Sequence, residues 1–348
     1  MCLYLTRKLF YIKHNLLPFL SGHATELTPM KISFSQFTAT LALLVALVSP
    51  AMAGQPLVSP QWLNDHLHDG DVVVLDVRSA IDGGGENAYL AAHIPGSIHS
   101  DYDKPGWRVT VHNVPFMLPG ILEIQNLIGN LGIDEKSHVV VVPAGVHFTD
   151  FGSAARVYWT LRVAGVPNVS ILDGGVAAWK AAGLPTQSGP SPTPSPKMLD
   201  AEADKSSLAE LTDVTKIAQS GGATLIDARP ASYFVGKERA PKVQAYGHIP
   251  GAVDLDSDAF YDDKANRVKP QAELAAIASR IPAGPVVTYC NTGHWSATDW
   301  FVLHELLGRA DVKLYDGSMV EWSADPQRPV VSDRTKWDDL KKKLGFGS

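Results

Sequence analysis

Of the 2 cysteines in these 348 residues, Cys290 stands where a thiol could act as a nucleophile. The run Val286-Val287-Thr288-Tyr289 is apolar and rich in β-branched residues, and it reads as a buried strand that breaks at Cys290. The loop Asn291-Thr292-Gly293-His294-Trp295 follows, and Ser296 to Leu307 has helical spacing that stops at Gly308. A strand, a tight loop and a helix N-terminus together make a cradle for an anion. The N–H groups of the first helical turn lack a helical partner, and the helix dipole adds roughly half a positive charge there. A thiol so placed is expected to favour its nucleophilic thiolate. Gly293 lets the backbone curl around the sulfur. Thr292 offers a hydroxyl, Trp295 reads as a wall of the pocket, and His294 is the one loop side chain able to change charge between about pH 5 and 8. It could therefore assist a donor anion or protonate a leaving group.

The elements that must hold this loop occur twice, about 150 residues apart. Val72 to Arg78 corresponds to Thr224 to Arg229, Ala92-His93-Ile94-Pro95-Gly96-Ser97 to Gly247-His248-Ile249-Pro250-Gly251-Ala252, and Leu172-Asp173-Gly174-Gly175 with Trp179 to Tyr315-Asp316-Gly317-Ser318 with Trp322. A period this long fits a complete α/β domain, not a solenoid unit. Each copy alternates short apolar strands with helical patterns such as Ala154–Ala164 and Leu274–Arg280, which predicts a mostly parallel sheet with helices on both faces. Ligands of such sheets sit beyond the carboxyl ends of the strands, where Cys290 lies. An ungapped alignment of Ser153–Gly165 with Ser296–Gly308 places His147 opposite Cys290, and the first copy has no cysteine. Asp76 with Arg78, and Asp227 with Arg229, are read as ion pairs that pin the loops around them. His93 and His248, in the two His-Ile-Pro-Gly turns, are read as structural.

These repeated motifs and the Cys290 loop resemble the two-domain rhodaneses, a family of sulfurtransferases. The resemblance implies two tandem rhodanese-like domains, the first catalytically silent and closing one side of the cleft, with Phe148 and Phe151 as cleft wall or core. It also implies that Cys290 takes a sulfur atom from a donor, carries it as a persulfide and passes it to a thiophilic acceptor. No metal and no organic cofactor is expected. Cysteine phosphatases and arsenate reductases place an arginine after five intervening residues, because a tetrahedral dianion needs a guanidinium fork. Ser296 occupies that position here, and the loop has neither Arg nor Lys. Thiosulfate-type members of the family carry basic loop residues, and 3-mercaptopyruvate-type members a small neutral residue with Gly-Ser. Residues 291–295 match neither pattern, and Tyr233 stands where thiosulfate-type enzymes have an arginine.

The expected organisation is an upstream extension at 1–29, a secretory signal at 30–53, a first rhodanese-like domain at 54–187, a proline-rich connector at 188–198 and a catalytic domain at 199–348. The signal is read from the uncharged run Ala39 to Val48 and the Ala51-Met52-Ala53 cleavage pattern, and it implies a periplasmic or secreted protein. Translation from Met1 or from Met30 is open. Without residues 1–53 the chain has 26 basic and 35 acidic residues, a net charge of −9, which disfavours nucleic acid and anionic lipid as partners. Cys290 is then the sole thiol, and an unpaired thiol in an oxidising compartment argues for a chemical role. The expected partners are a small sulfur donor such as thiosulfate or 3-mercaptopyruvate, a thiol or cyanide acceptor or a redox protein, and no membrane once the signal is cleaved. The competing expectation is a non-catalytic sulfur carrier or scaffold that keeps the fold.

Overall fold

Strand pairing in the computed structural model, which describes residues 55–104 and 106–335, displays the repeat directly. The extension read at 1–29 and the signal read at 30–53 lie outside the described residues. In the first copy β1 (Leu57–Val58), β2 (Val72–Asp76), β3 (Ile98–His99), β4 (His138–Val142) and β5 (Asn168–Leu172) form a parallel sheet in the order β1-β5-β4-β2-β3. In the second, β6 (Leu208–Ala209), β7 (Thr224–Asp227), β8 (Val253–Asp254), β9 (Val286–Tyr289) and β10 (Val312–Tyr315) take the same order, β6-β10-β9-β7-β8. Two copies of one topology account for the repeated motifs.

The central strands are near-continuous apolar runs because helices bury both of their faces. In the first copy α1 (Pro60–His66) and α4 (Gly175–Ala181) pack Leu63, Val176 and Trp179 on Val140 and Val142. On the other face α2 (Ile121–Asn130) and α3 (Phe148–Val163) cover Val139 and Val141. In the second copy α5 (Leu211–Ser220) and α8 (Ser318–Trp322) lie against Val287 and Tyr289, while α6 (Gln271–Ala278) and α7 (Trp295–Trp300) cover Val286 and Leu314. The α3 and α7 sides belong to one apolar cluster that runs through both copies. Within it the Tyr158 ring meets Phe301 edge-on at 5.0 Å, and Phe151 lies 5.8 Å from Phe301, so Phe151 is core. Burying each such aromatic contributes roughly 1.5–3 kcal/mol, which ties the two copies into one body.

Two sequence expectations change. The helical spacing from Ser296 to Leu307 divides: α7 ends at Trp300 and Phe301–Leu306 is π-helical, with Leu307 N–H bonded to Val302 O at 3.0 Å. The residue opposite Cys290 is Pro143, not His147. Val142 pairs with Asp76 in the first sheet as Tyr289 pairs with Asp227 in the second, and the next residues are Pro143 and Cys290. Both helices start five residues further on, but α3 has 16 residues where α7 and its π-helical extension have 12, about one turn fewer. Matching the helices at their C-terminal ends therefore misplaced the loops.

Candidate active site

The backbone of the Cys290 loop is fixed by groups on every side. Cys290 N–H and Gly293 N–H both donate to Ser318 Oγ, at 3.1 and 3.0 Å, and the Ser318 hydroxyl donates to Tyr315 O at 3.0 Å. Ser318 holds the left-handed φ of 49° that side chains rarely adopt, and its counterpart in the first copy is Gly175, at φ 56°. Met319 N–H donates to Cys290 O and Val320 N–H to Asn291 O, both at 3.0 Å. Arg156, from α3 of the first copy, donates through Nη1 to Gly293 O at 3.0 Å and pairs through Nη2 with Asp316. In a trans peptide the carbonyl and the following N–H point in opposite directions. Tying the carbonyls of Cys290, Asn291 and Gly293 outward therefore turns the N–H groups of Asn291, Thr292 and His294 toward the hollow of the loop. Among the described residues these three N–H groups have no hydrogen-bond acceptor.

His294 is held by the first copy as well. Its Nε2–H donates to Thr149 O at 2.8 Å, which leaves Nδ1 to accept from the Tyr102 hydroxyl at 3.0 Å. Burial, then the charge of Arg108, pushes its pKa down to about 3, with Arg156 acting in the same sense. The expectation of a histidine that changes charge between pH 5 and 8 is thereby corrected: the ring is a neutral anchor.

Asp227, the last residue of β7, and Arg229 just beyond it form a forked pair, with Arg229 Nε to Oδ1 at 2.7 Å and Nη2 to Oδ2 at 2.5 Å. Arg229 also donates to Gly247 O at 2.8 Å and, at 3.5 Å, to Asn291 Oδ1, so the pair braces the cysteine loop against the His-Ile-Pro-Gly turn. In the first copy Arg78 grips Asp76 and Ala92 O in the same way. His93 and His248 stack on Tyr89 and Phe234 and bond their carbonyls, a packing role.

Cys290 is 1% exposed yet belongs to none of the three apolar clusters. It lies close enough to Arg229, Asp299 and the first copy's Tyr102 for a charge on its sulfur to act on all three. Asp299, fully buried on α7, has neither carboxyl oxygen hydrogen-bonded among the described residues. Burial, then the charge of Asp256, Cys290 and Asp227, holds its pKa well above the usual carboxylate range, which favours the uncharged acid. Half-buried Trp295 is flanked by Phe148 at 6.1 Å and Tyr233 at 6.3 Å, an aromatic cluster at the end of the loop. Thr292 is half-buried beside it.

A family model for the rhodanese-like domain matches residues 59–182 and again 210–325. The chain belongs to the rhodanese family. It is 31% identical to the 3-mercaptopyruvate sulfurtransferase of Escherichia coli (strain K12), over 78% of this chain and 96% of that protein. To the thiosulfate sulfurtransferase of Rattus norvegicus it is 32% identical, over 80% and 96%. The crystal structure of SseA from Escherichia coli, a 3-mercaptopyruvate sulfotransferase, matches with a TM-score of 0.63 at 29% identity, covering 76% of this chain and 98% of that one. The protein is a sulfurtransferase built from two rhodanese-like domains.

The first rhodanese domain has the same loop frame, with Val176 N–H on Pro143 O and Ala177 N–H on Ala144 O, but its amides are taken. Gly145 N–H and His147 N–H donate to the two oxygens of the buried Asp150 carboxyl, at 2.6 and 2.9 Å. A carboxyl group of the chain itself fills that nest. In the second domain the third helical residue, which is Asp150 in the first, is Ala297. Sequence reasoning passed over Ser318, Arg156, Tyr102 and Asp316. Two signals were present: Gly175 in one copy is Ser318 in the other, and Arg156 interrupts an otherwise apolar helical run.

Proposed function

We propose that Cys290 is the nucleophile and sulfur carrier of a rhodanese-type transfer, in which its thiolate takes a sulfane sulfur from a small donor and hands it to a thiol or cyanide. The persulfide anion would lie in the hollow of the loop and accept from the N–H groups of Asn291, Thr292 and His294. The observation that carries this reading is the set of three carbonyls tied outward around Cys290, since it leaves those donors free and oriented before any ligand arrives. One such donor is worth roughly 2.7–4 kcal/mol in comparable sites. Arg229, through Asn291, and Ser318, through two amides, keep the loop from collapsing on the sulfur.

Mass spectrometry of the intact chain after brief exposure to sulfur donors tests it. Cys290 should gain one sulfur atom and lose it to added thiol over many cycles, and Cys290→Ser should neither load nor turn over while keeping its circular dichroism. Sulfur transfer retained by Cys290→Ser would refute the assignment. The depth of the thiol favours a second reading, a scaffold that takes up no sulfur, which the same spectra distinguish. For the leader at 30–53 the proposal is export to the periplasm or beyond, checked by fractionation and by the N-terminal residue of the mature chain.

A further inference from the structure

The cations around the loop are spoken for. Arg156 is paired with Asp316, Arg229 with Asp227 and Arg108 with Asp103, and residues 291–295 contain no Lys or Arg. His294 is fixed as the neutral tautomer by Thr149 O and the Tyr102 hydroxyl. The nest thus offers oriented dipoles with no surplus positive charge. A doubly charged donor meeting a thiolate would bring three negative charges together there. Dipoles that suit one anionic sulfur do not offset that repulsion.

The end of the loop is set among aromatic rings. Cys290 is only 1% exposed, and Trp295, at the end of its loop, is flanked by the rings of Phe148 and Tyr233. The Arg229 guanidinium lies 5.9 Å from the Tyr233 ring centre, so it is engaged on that side as well. The Trp295 indole N–H is buried with no acceptor among the described residues, and it could bond a polar atom of an incoming molecule. A strongly hydrated dianion would shed water for an aromatic surface with nothing ionic in return. A small molecule with an apolar body would exchange one apolar contact for another.

Resting on the sulfur-transfer reading above, we infer that the donor class this site selects is the persulfide of a small, uncharged organic thiol, in preference to the thiosulfate dianion. The thiolate of Cys290 attacks the terminal sulfur of R–S–S–H. The S–S bond of the donor breaks, its inner sulfur keeps the electron pair and takes up the S–H proton, and the products are R–SH and the Cys290 persulfide anion. No oxidant or reductant is consumed.

The test is single-turnover loading of the full chain, followed by mass spectrometry, with thiosulfate, 3-mercaptopyruvate and the persulfide of 2-mercaptoethanol as probes. Loading by the persulfide of 2-mercaptoethanol should exceed that by the doubly charged thiosulfate at least about tenfold, and the thiosulfate rate should not fall as salt is raised, because no cationic field draws the dianion in. Tyr233→Arg should speed thiosulfate loading severalfold and make it salt-sensitive. Thiosulfate loading as fast as the persulfide, or slowed severalfold by salt in the wild-type chain, overturns the inference and leaves sulfur transfer standing. Loading by none of the three overturns both.

Discussion

Arg156 is the residue through which the first domain reaches the Cys290 loop, and replacing it separates two consequences. In Arg156→Met the Asp316 carboxylate, 4% exposed, keeps only the Leu118 N–H, at 2.6 Å, of its contacts across the domain boundary. Breaking a buried ion pair from one side costs about 3–5 kcal/mol, which urea denaturation of the full chain would register. Gly293 O also loses its partner, so the following peptide is free to turn and His294 N–H no longer points into the loop. One oriented donor lost corresponds to about 10²–10³ in turnover. The double variant Arg156→Met, Asp316→Leu removes both charges and should recover most of the stability while leaving kcat low, with KM less affected. Arg156→Lys should not rescue either property, since one ammonium cannot span both acceptors. If the double variant regains wild-type kcat, the arginine serves only as an ion-pair partner and the account of loop orientation is wrong.

Two further outcomes follow from the same geometry. Ser318→Ala strands the N–H groups of Cys290 and Gly293 and the carbonyl of Tyr315, at about 1–3 kcal/mol per buried group, so its denaturation midpoint should fall clearly. Ser318→Gly relieves the left-handed backbone but loses the same bonds, and it should be no better than half rescued. His294 sets a pH dependence of stability: its folded pKa of about 3 lies below the ordinary 6.5, so the unfolded chain binds a proton that the native chain refuses. This contribution is complete above pH 6.5 and is lost as pH falls toward 3. From pH 7 to 5 the wild type should lose about 2 kcal/mol more than His294→Gln, and equal slopes for the two would contradict the assignment.

Much of the site's outline is legible without coordinates. The strand, the break at Cys290 and the start of the following helix are local patterns of period and punctuation, and they stand in the structure where the spacing puts them. Errors arose where the reading needed register. Pro143, not His147, faces Cys290 across the repeat because α3 is about one turn longer than its counterpart, and residue identities at the far ends of the helices conceal an offset that only strand pairing exposes. His294 misled for a related reason. An isolated imidazole in a loop titrates near neutrality, but this one is enclosed by Tyr102, Thr149 and two arginines contributed by the other domain.

The amino-acid sequence by itself determined the tandem α/β architecture and the place of the candidate nucleophile, because both are written in neighbouring residues: apolar runs that repeat, and one thiol at a strand end. The tertiary structure alone decided how that thiol is served. The Arg156 bond to Gly293 spans 137 residues and the Tyr102 bond to His294 spans 192. Contacts at such separations leave no local periodicity to read. They form because α3 and α7 share one apolar core, and burying that surface carries the first domain's side chains to the loop they hold.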